Sequence, residues 1–211
     1  MKLQIVGGGK MGQALLGGLI DTFAAAGELA VVEPNANARS QVASSFPGVG
    51  VSESPLPDVA AVLAVKPYLA IEVASSLPSV PRLLSICAGI TTSALEAVTS
   101  AAVVRCMPNT PALEGMGASA VAVGASGDAD DLDWGLAVLG AVGVAVAVTE
   151  PQIDAVTGLS GSGPAYIFLV AEAMTDAGVR YGLPRPIAAK LAINTINGSG
   201  RLMTEIGRAH V

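Results

Sequence analysis

Lys2-Leu3-Gln4-Ile5-Val6-Gly7-Gly8-Gly9-Lys10-Met11-Gly12 is the stretch whose reading decides the fold. Lys2 to Val6 read as a short apolar strand running straight into a glycine-rich turn. Gly7, Gly9 and Gly12 satisfy Gly-X-Gly-X-X-Gly, in which each position needs a missing Cβ. The first permits a tight turn, the second lets a pyrophosphate approach the backbone, and the third allows close packing of helix on strand. Beyond them Met11, Leu15, Leu19 and Phe23 recur every four residues. That spacing predicts one helical stripe, with the free N–H groups of the helix N-terminus facing the phosphates of a dinucleotide. Glycine-rich turns are common, so the strand before and the helix after give the motif its weight.

Composition limits the remainder. The chain has 211 residues, 52% hydrophobic and 13% charged. A nucleotide-binding unit of about 150 residues leaves room for a small second piece. Low charge suits an α/β protein whose parallel strands are buried on both faces, and hints at a buried subunit interface. Net charge is −6 with no basic run, which argues against nucleic-acid binding. The longest uncharged apolar stretch, Trp134 to Val148, falls short of the roughly 20 residues of a membrane span and reads as a helix end plus a strand. No charged segment followed by an apolar one precedes the first strand, so no signal peptide and a cytoplasmic location are expected. Cys87 and Cys106, each in or beside an apolar run, suit buried thiols better than a disulfide framework or a metal site.

Further apolar runs at Leu29 to Glu33, Val59 to Val65, Leu83 to Cys87, Val103 to Cys106, Ala118 to Val123 and Val142 to Val148 read as strands. Helix-like stretches separate them. The alternation predicts right-handed β-α-β crossovers, a mostly parallel doubly wound sheet, and a ligand at the carboxyl ends of the strands. Around Glu150 the β-branched runs stop. From Pro164 a long helix carries Ile167, Val170, Ala171 and Met174 on one face. Gly182 and Pro184 break it, and a helix from Pro186 carries Ile187, Leu191 and Ile196 before Gly198 and Gly200 weaken it. The expected organisation is a Rossmann-like domain over residues 1–150 and a helical domain over 151–211.

Three loops after strands carry candidate chemistry. Glu33-Pro34-Asn35 lies about 20 positions beyond Gly12, where an acid accepts hydrogen bonds from the adenosine ribose and would repel a 2′-phosphate. Asn35, Asn37 and Arg39 could instead hold that phosphate, and Glu33 could simply be a solvated strand end. Lys66-Pro67 places a cation at the carboxyl end of a buried strand, where it faces the cofactor or only solvent. In Met107-Pro108-Asn109-Thr110-Pro111 two prolines fix the backbone, leaving either an Asn109 amide to orient a ring or carboxamide, or a plain rigid turn.

At these residues the chain resembles the pyrroline-5-carboxylate reductase family. The blocks Ala64-Val65-Lys66-Pro67, Ala88-Gly89, Arg105 with Met107-Pro108-Asn109-Thr110-Pro111, and Asp154 through Tyr166 (Asp-Ala-Val-Thr-Gly-Leu-Ser-Gly-Ser-Gly-Pro-Ala-Tyr) follow that family's pattern in order. The resemblance covers roughly residues 2 to 207. It implies reduction of 1-pyrroline-5-carboxylate to L-proline, the last step of proline biosynthesis. It implies pyrophosphate binding by Val6, Gly7, Gly8, Gly9, Lys10, Met11 and Gly12, ribose contacts from Glu33 to Asn35, and nicotinamide contacts from Ala64, Val65, Lys66, Pro67 and Ala88. Asn109, Ser160 and Ser162 are candidate substrate contacts, the serines as caps of a helix N-terminus beside the substrate pocket. NADPH is the cofactor the resemblance implies; Glu33 argues for NADH, and both are expected to work.

Family members continue into a Ser-Pro-Gly-Gly-Thr-Thr type segment that holds the substrate carboxylate. The chain in hand stops at Val211, before it, so no catalytic side chain is assigned and the helical domain is expected to be incomplete. Hydride delivery to a cyclic imine depends mainly on positioning the reactants about 3 to 3.5 Å apart in a water-poor pocket. An imine that enters protonated needs no strong base, so a single histidine, His210, read as a tail residue, is no obstacle. Two rival readings are a 3-hydroxyacid dehydrogenase and a non-catalytic nucleotide-binding module. The first uses Gly-X-X-Gly-X-Gly-X-X-X-Lys; Gly158, Gly161 and Gly163 fit, but Ile167 takes the lysine position and cannot exchange a proton. Two helices from Pro164 to Ile206 cannot close a core alone, which predicts at least a homodimer. Dimers of the resembled family assemble into decamers in several members.

Overall fold

The computed structural model describes residues 1–206; His210 lies outside the described residues. Eight strands form one sheet: β1 (Leu3–Val6), β2 (Leu29–Val32), β3 (Gly50–Ser52), β4 (Ala60–Leu63), β5 (Arg82–Ser85), β6 (Ala102–Met107), β7 (Gly117–Val123) and β8 (Gly143–Ala147). Their order is β3-β2-β1-β4-β5-β6-β7-β8, all parallel except the antiparallel β6–β7 pair. Helices α1 (Lys10–Leu19), α2 (Ala36–Ser45), α3 (Ala70–Ser76), α4 (Thr92–Glu96) and α5 (Ala129–Gly140) connect them. The doubly wound sheet is as the sequence predicts. β3 was not foreseen, because Gly50, Val51 and Ser52 are only half-buried and form no apolar run.

β1 is central, and every residue in it is buried. Its one polar member, Gln4, donates through Nε2 to the carbonyls of Leu56 (2.7 Å) and Val59 (3.0 Å) and accepts from the Leu56 N–H (2.8 Å). A buried amide thus satisfied adds order at little cost. Chain order reverses on either side of β1, with β2 on one side and β4 on the other. Crevices at such a reversal take ligands in open α/β sheets.

Two expectations about helices need correction. α1 ends at Leu19 rather than continuing to Phe23: Ile20 turns extended and Asp21 takes a left-handed φ of 62°. Phe23 still packs on the core beside Leu19, from the following turn. The helix after Pro184 does not weaken at Gly198 and Gly200. It runs unbroken as α8, Arg185–Ile206; two glycines at about 1 kcal/mol each do not stop a helix of that length.

The chain divides into two compact units, the first Met1–Gly161 and the second from Ser162 onward. In the first unit, α6 (Ile153–Val156) and a π-helical turn, Thr157–Gly161, follow β8, and Ile153 is buried against Ala120 and Ala122 of β7. In the second, α7 (Gly163–Arg180) packs on α8 through small residues: a Cβ at Gly178 would lie 3.0 Å from that of Ala188. Gly182, at φ 98°, reverses the chain between them. No helix among the described residues is long and apolar enough to cross a membrane.

Candidate cofactor site

The register of the sheet brings the candidate loops together. Val6 pairs with Val32 on one side and Leu63 on the other, so Gly7, Glu33 and Ala64 all leave the sheet at one level. Hydrogen bonds from Gly7 N to Val32 O (2.9 Å) and from Ala64 N to Val6 O (2.8 Å) close the seam. A cavity of about 980 Å³ opens there, large enough for a dinucleotide.

The glycines behave differently from one another. Gly7 has φ +115°, and a Cβ there would lie 2.5 Å from the Ala64 carbonyl. A Cβ on Gly12 would collide with the Gly7 carbonyl, so this glycine lets α1 sit on the strand end. A Cβ on Gly9 would have nothing within 4 Å among the described residues, and its φ is an ordinary −72°. It lines the cavity and is the N-cap of α1, whose N-terminus has no side-chain cap. The N–H groups of that first turn are therefore available to an anion. Open space before uncapped N–H groups is the cradle that a pyrophosphate requires, and the residues present fit one.

Of the residues singled out by sequence, Val6, Gly7, Gly9, Lys10, Met11, Glu33, Ala64, Val65, Lys66, Pro67, Ala88 and Asn109 line this cavity. Gly8, Gly12, Asn35, Ser160 and Ser162 do not. Gly8 and Asn35 support it from behind: Glu33 accepts from the Gly8 N–H through Oε2 and from the Asn35 N–H through Oε1, both at 3.0 Å. The Asn35 side chain caps α2 by accepting from Ala38 N. Glu33 is thus a brace between the glycine turn and the end of β2. Burial pushes the thiol of Cys87, on the opposite wall, above its usual pKa, so it is not a nucleophile in waiting.

Asn109 is buried, and both ends of its amide are taken by backbone. Oδ1 accepts from Ala118 N (2.9 Å) and Nδ2 donates to Ser160 O (3.0 Å). This amide ties the π-helical turn to β7, which is the rigid-turn alternative in a stronger form. Gly161, at the end of that turn, reaches the cavity beside Met107; a Cβ on it would lie 2.8 Å from the Met107 Cε. Neither serine caps a helix. The Ser160 hydroxyl donates back to Val156 O, and Ser162, though the N-cap of α7, makes no side-chain capping bond.

Two features were missed by sequence. Glu53 and Pro55, after the unforeseen β3, form part of the cavity rim. The other is the pairing of Arg105, which the sequence reading named only as part of a family block: inside an otherwise apolar strand, it is buried and pairs with Glu150 (3.1 Å) and Asp154 (3.6 Å). Burial works against ionisation of Glu150, but the Thr92 hydroxyl (2.6 Å), the Thr92 N–H (2.7 Å) and Arg105 together outweigh it and hold its pKa below the usual value. A charged residue in a buried strand was the available signal, since such a charge demands partners.

Comparison with known proteins now bears on this geometry. A family model described as pyrroline-5-carboxylate reductase dimerisation matches residues 150–211, and one described as NADP oxidoreductase, coenzyme F420-dependent, matches residues 2–89. Pyrroline-5-carboxylate reductase of Synechocystis is 40% identical, over 97% of this chain and 80% of its own length. The chain belongs to the pyrroline-5-carboxylate reductase family. The Escherichia coli reductase is 36% identical over 98% of this chain and 80% of its own. Among solved structures, the Coxiella burnetii reductase superposes with a TM-score of 0.90 at 29% identity, covering 99% of this chain and 81% of that one. The Plasmodium falciparum reductase, solved with NADP bound, gives 0.81 at 29% identity, covering 99% and 80%. The chain is an oxidoreductase of this family, and its second unit falls within the match to the dimerisation model.

Proposed function

We propose that this protein reduces 1-pyrroline-5-carboxylate to L-proline with NADPH, in the cytoplasm, as a homodimer able to assemble further, up to a decamer. The observation that carries the reading is the uncapped N-terminus of α1 beside Gly9, opening onto a cavity walled by the ends of β1, β4, β5 and β6. NADPH supplies the hydride when bound. The chain's own task is then to bind and to orient. The first-turn N–H groups of α1 hold the pyrophosphate, with Gly9, Lys10 and Met11 lining the cavity and Gly7, Gly8 and Gly12 shaping the turn. Ala64 to Pro67 and Ala88 form the wall along the nicotinamide, and the largely apolar lining keeps water away from the reacting centre.

A cyclic imine that arrives protonated needs a place rather than a base, so positioning carries most of the acceleration. Asn109 contributes indirectly, by fixing the turn that ends in Gly161. Ser160 and Ser162 stay candidate substrate contacts. Alcohol oxidation is disfavoured because Ile167 stands where the rival family has its lysine. The direct test is steady-state turnover: loss of nicotinamide absorbance that depends on 1-pyrroline-5-carboxylate, with proline as product. Cofactor binding without turnover would leave only the nucleotide-binding module.

A further inference from the structure

Glu150 joins segments that are remote in sequence. Its Oε1 accepts from the Arg105 guanidinium (3.1 Å) and from the Thr92 N–H (2.7 Å), and its Oε2 from the Thr92 hydroxyl (2.6 Å). Thr92, the first residue of α4, and Arg105, in β6, lie 58 and 45 positions from it, and both are buried. A guanidinium in a buried strand is costly to leave unpaired, so the three groups are committed to one another. None of the three lines the cavity, but each belongs to a segment that supplies a lining residue. Thr92 follows Ala88 by four positions. Arg105 precedes Met107 by two, which in a strand puts both on one face. Glu150 leads through α6 into the π-helical turn, which ends at Gly161. Gly161 and Met107 already stand close, since a Cβ on Gly161 would lie 2.8 Å from the Met107 Cε.

We propose that Glu150 is a positioning residue for the hydride step: by tying Thr92 to Arg105 it fixes how far apart the Ala88, Met107 and Gly161 walls stand, and with them the gap between nicotinamide and imine, while touching neither. The role rests on the reductase reading of the cavity. Hydride transfer needs its two carbons about 3 to 3.5 Å apart, and a misplacement of about 1 Å by a remote change costs on the order of 100-fold. Pyrophosphate binding is decided elsewhere, at the glycine turn and the uncapped N-terminus of α1. Loosening the tie lets the walls drift while the cofactor is still held. The loss therefore falls on the hydride step and not on binding.

Stopped-flow single turnovers of the NADPH-loaded full chain with 1-pyrroline-5-carboxylate, beside steady-state kinetics and calorimetric NADPH affinity, test this on Glu150→Gln, Thr92→Val and Thr92→Ser. Glu150→Gln is expected to slow hydride transfer by about tenfold or more. Thr92→Val, which removes one hydrogen bond and keeps the ion pair, should slow it about threefold. NADPH affinity and the KM for the imine should stay within about twofold of wild type in both. Thr92→Ser keeps the hydroxyl and should restore the wild-type rate. A variant that is merely less stable loses amplitude, because fewer molecules are folded, and not rate, so the rate separates position from stability. A wild-type rate in Glu150→Gln and Thr92→Val, or in Thr92→Val alone should Glu150→Gln fail to fold, overturns the proposal. So does Thr92→Ser as slow as Thr92→Val, or a loss of NADPH affinity or rise in KM that equals the loss of rate. Absence of imine-dependent NADPH oxidation by the wild-type chain overturns the reductase reading, and this role with it.

Discussion

The sheet unit and the helical unit handle the same kind of residue in opposite ways. In the first, Leu3, Ile5, Leu15, Leu16, Leu63, Leu83 and Leu84 are all buried within the unit. In the second, the seam between α7 and α8 is made of small groups, Thr175, Gly178, Ala188 and Ala192, while Phe168 (69% exposed), Leu169 (64%), Leu191 (56%) and Ile193 (59%) stand outside it. Each large side chain left in water forgoes about 1.5 to 3 kcal/mol of burial. A helix apolar on all sides, as α7 is from Tyr166 to Val170, is ordinarily surrounded by protein. The first unit thus carries a complete core, and the second carries a surface meant for covering. Its match to the dimerisation model has a physical basis in that inversion.

The largest effect expected from breaking this contrast lies on the outer face. Phe168→Glu with Leu169→Glu should weaken self-association by about 1000-fold, since two central apolar anchors contribute on the order of 2 kcal/mol each. Light scattering at micromolar concentration would show a dimer become a monomer. Cofactor affinity measured in parallel should change little if the first unit stands alone. An unchanged mass would mean that other surfaces hold the dimer.

Next comes Gly9→Ala, which should weaken NADPH by about 100-fold, because its methyl would point into the space a pyrophosphate oxygen needs. The melting temperature should hardly move, as the new Cβ meets nothing and φ is ordinary. Calorimetric titration beside thermal unfolding reads both. Gly12→Ala, by contrast, should lower the melting temperature as well, since its Cβ meets the Gly7 carbonyl. If Gly9→Ala bound NADPH like the wild type, the site assignment would have to be withdrawn.

Glu150→Gln is expected to destabilise the first unit by about 1 to 3 kcal/mol at neutral pH, since it removes the nearer charge from buried Arg105 and leaves the longer contact to Asp154 as its remaining ion pair among the described residues. The pKa of Glu150 is lower in the folded state than its ordinary 4.5. Its stabilisation is therefore full above that value and is lost as pH falls through the folded one. The gap in melting temperature between wild type and variant should narrow across that acid window. A gap constant with pH would show that packing, not charge, is what the substitution removes.

The smallest effect is the most informative about the uncovered face. Gly198→Ala and Gly200→Ala should each stabilise α8 by up to about 1 kcal/mol, because a Cβ at either meets nothing within 4 Å among the described residues. Denaturant unfolding would measure it. A loss of stability at either position would mark where another copy's backbone comes close.

Legibility followed locality. The glycine turn was readable because three closely spaced positions, Gly7, Gly9 and Gly12, each need a missing Cβ for a different reason. Most strands were readable as buried apolar runs. β3 escaped since three half-buried residues carry no pattern, and with it went Glu53 on the cavity rim. Asn109 stayed open between a ligand amide and a rigid turn, because nothing in the sequence shows that Ala118 and Ser160, nine and 51 positions away, come to its two ends. Glu33 was correctly placed at the end of β2, but its hydrogen bonds to the Gly8 and Asn35 backbone could not be inferred.

By itself, then, the sequence determined most of the segments that become strands, where the dinucleotide turn lies, and the family to which the chain belongs. Those follow from short-range sterics and from periodicity, which operate within a few residues. Tertiary structure alone decided which polar groups are already satisfied and which remain for a ligand. That distinction depends on pairings across the sheet, such as Gly8 with Glu33 and Arg39 with Glu53, and on how far each side chain is removed from water.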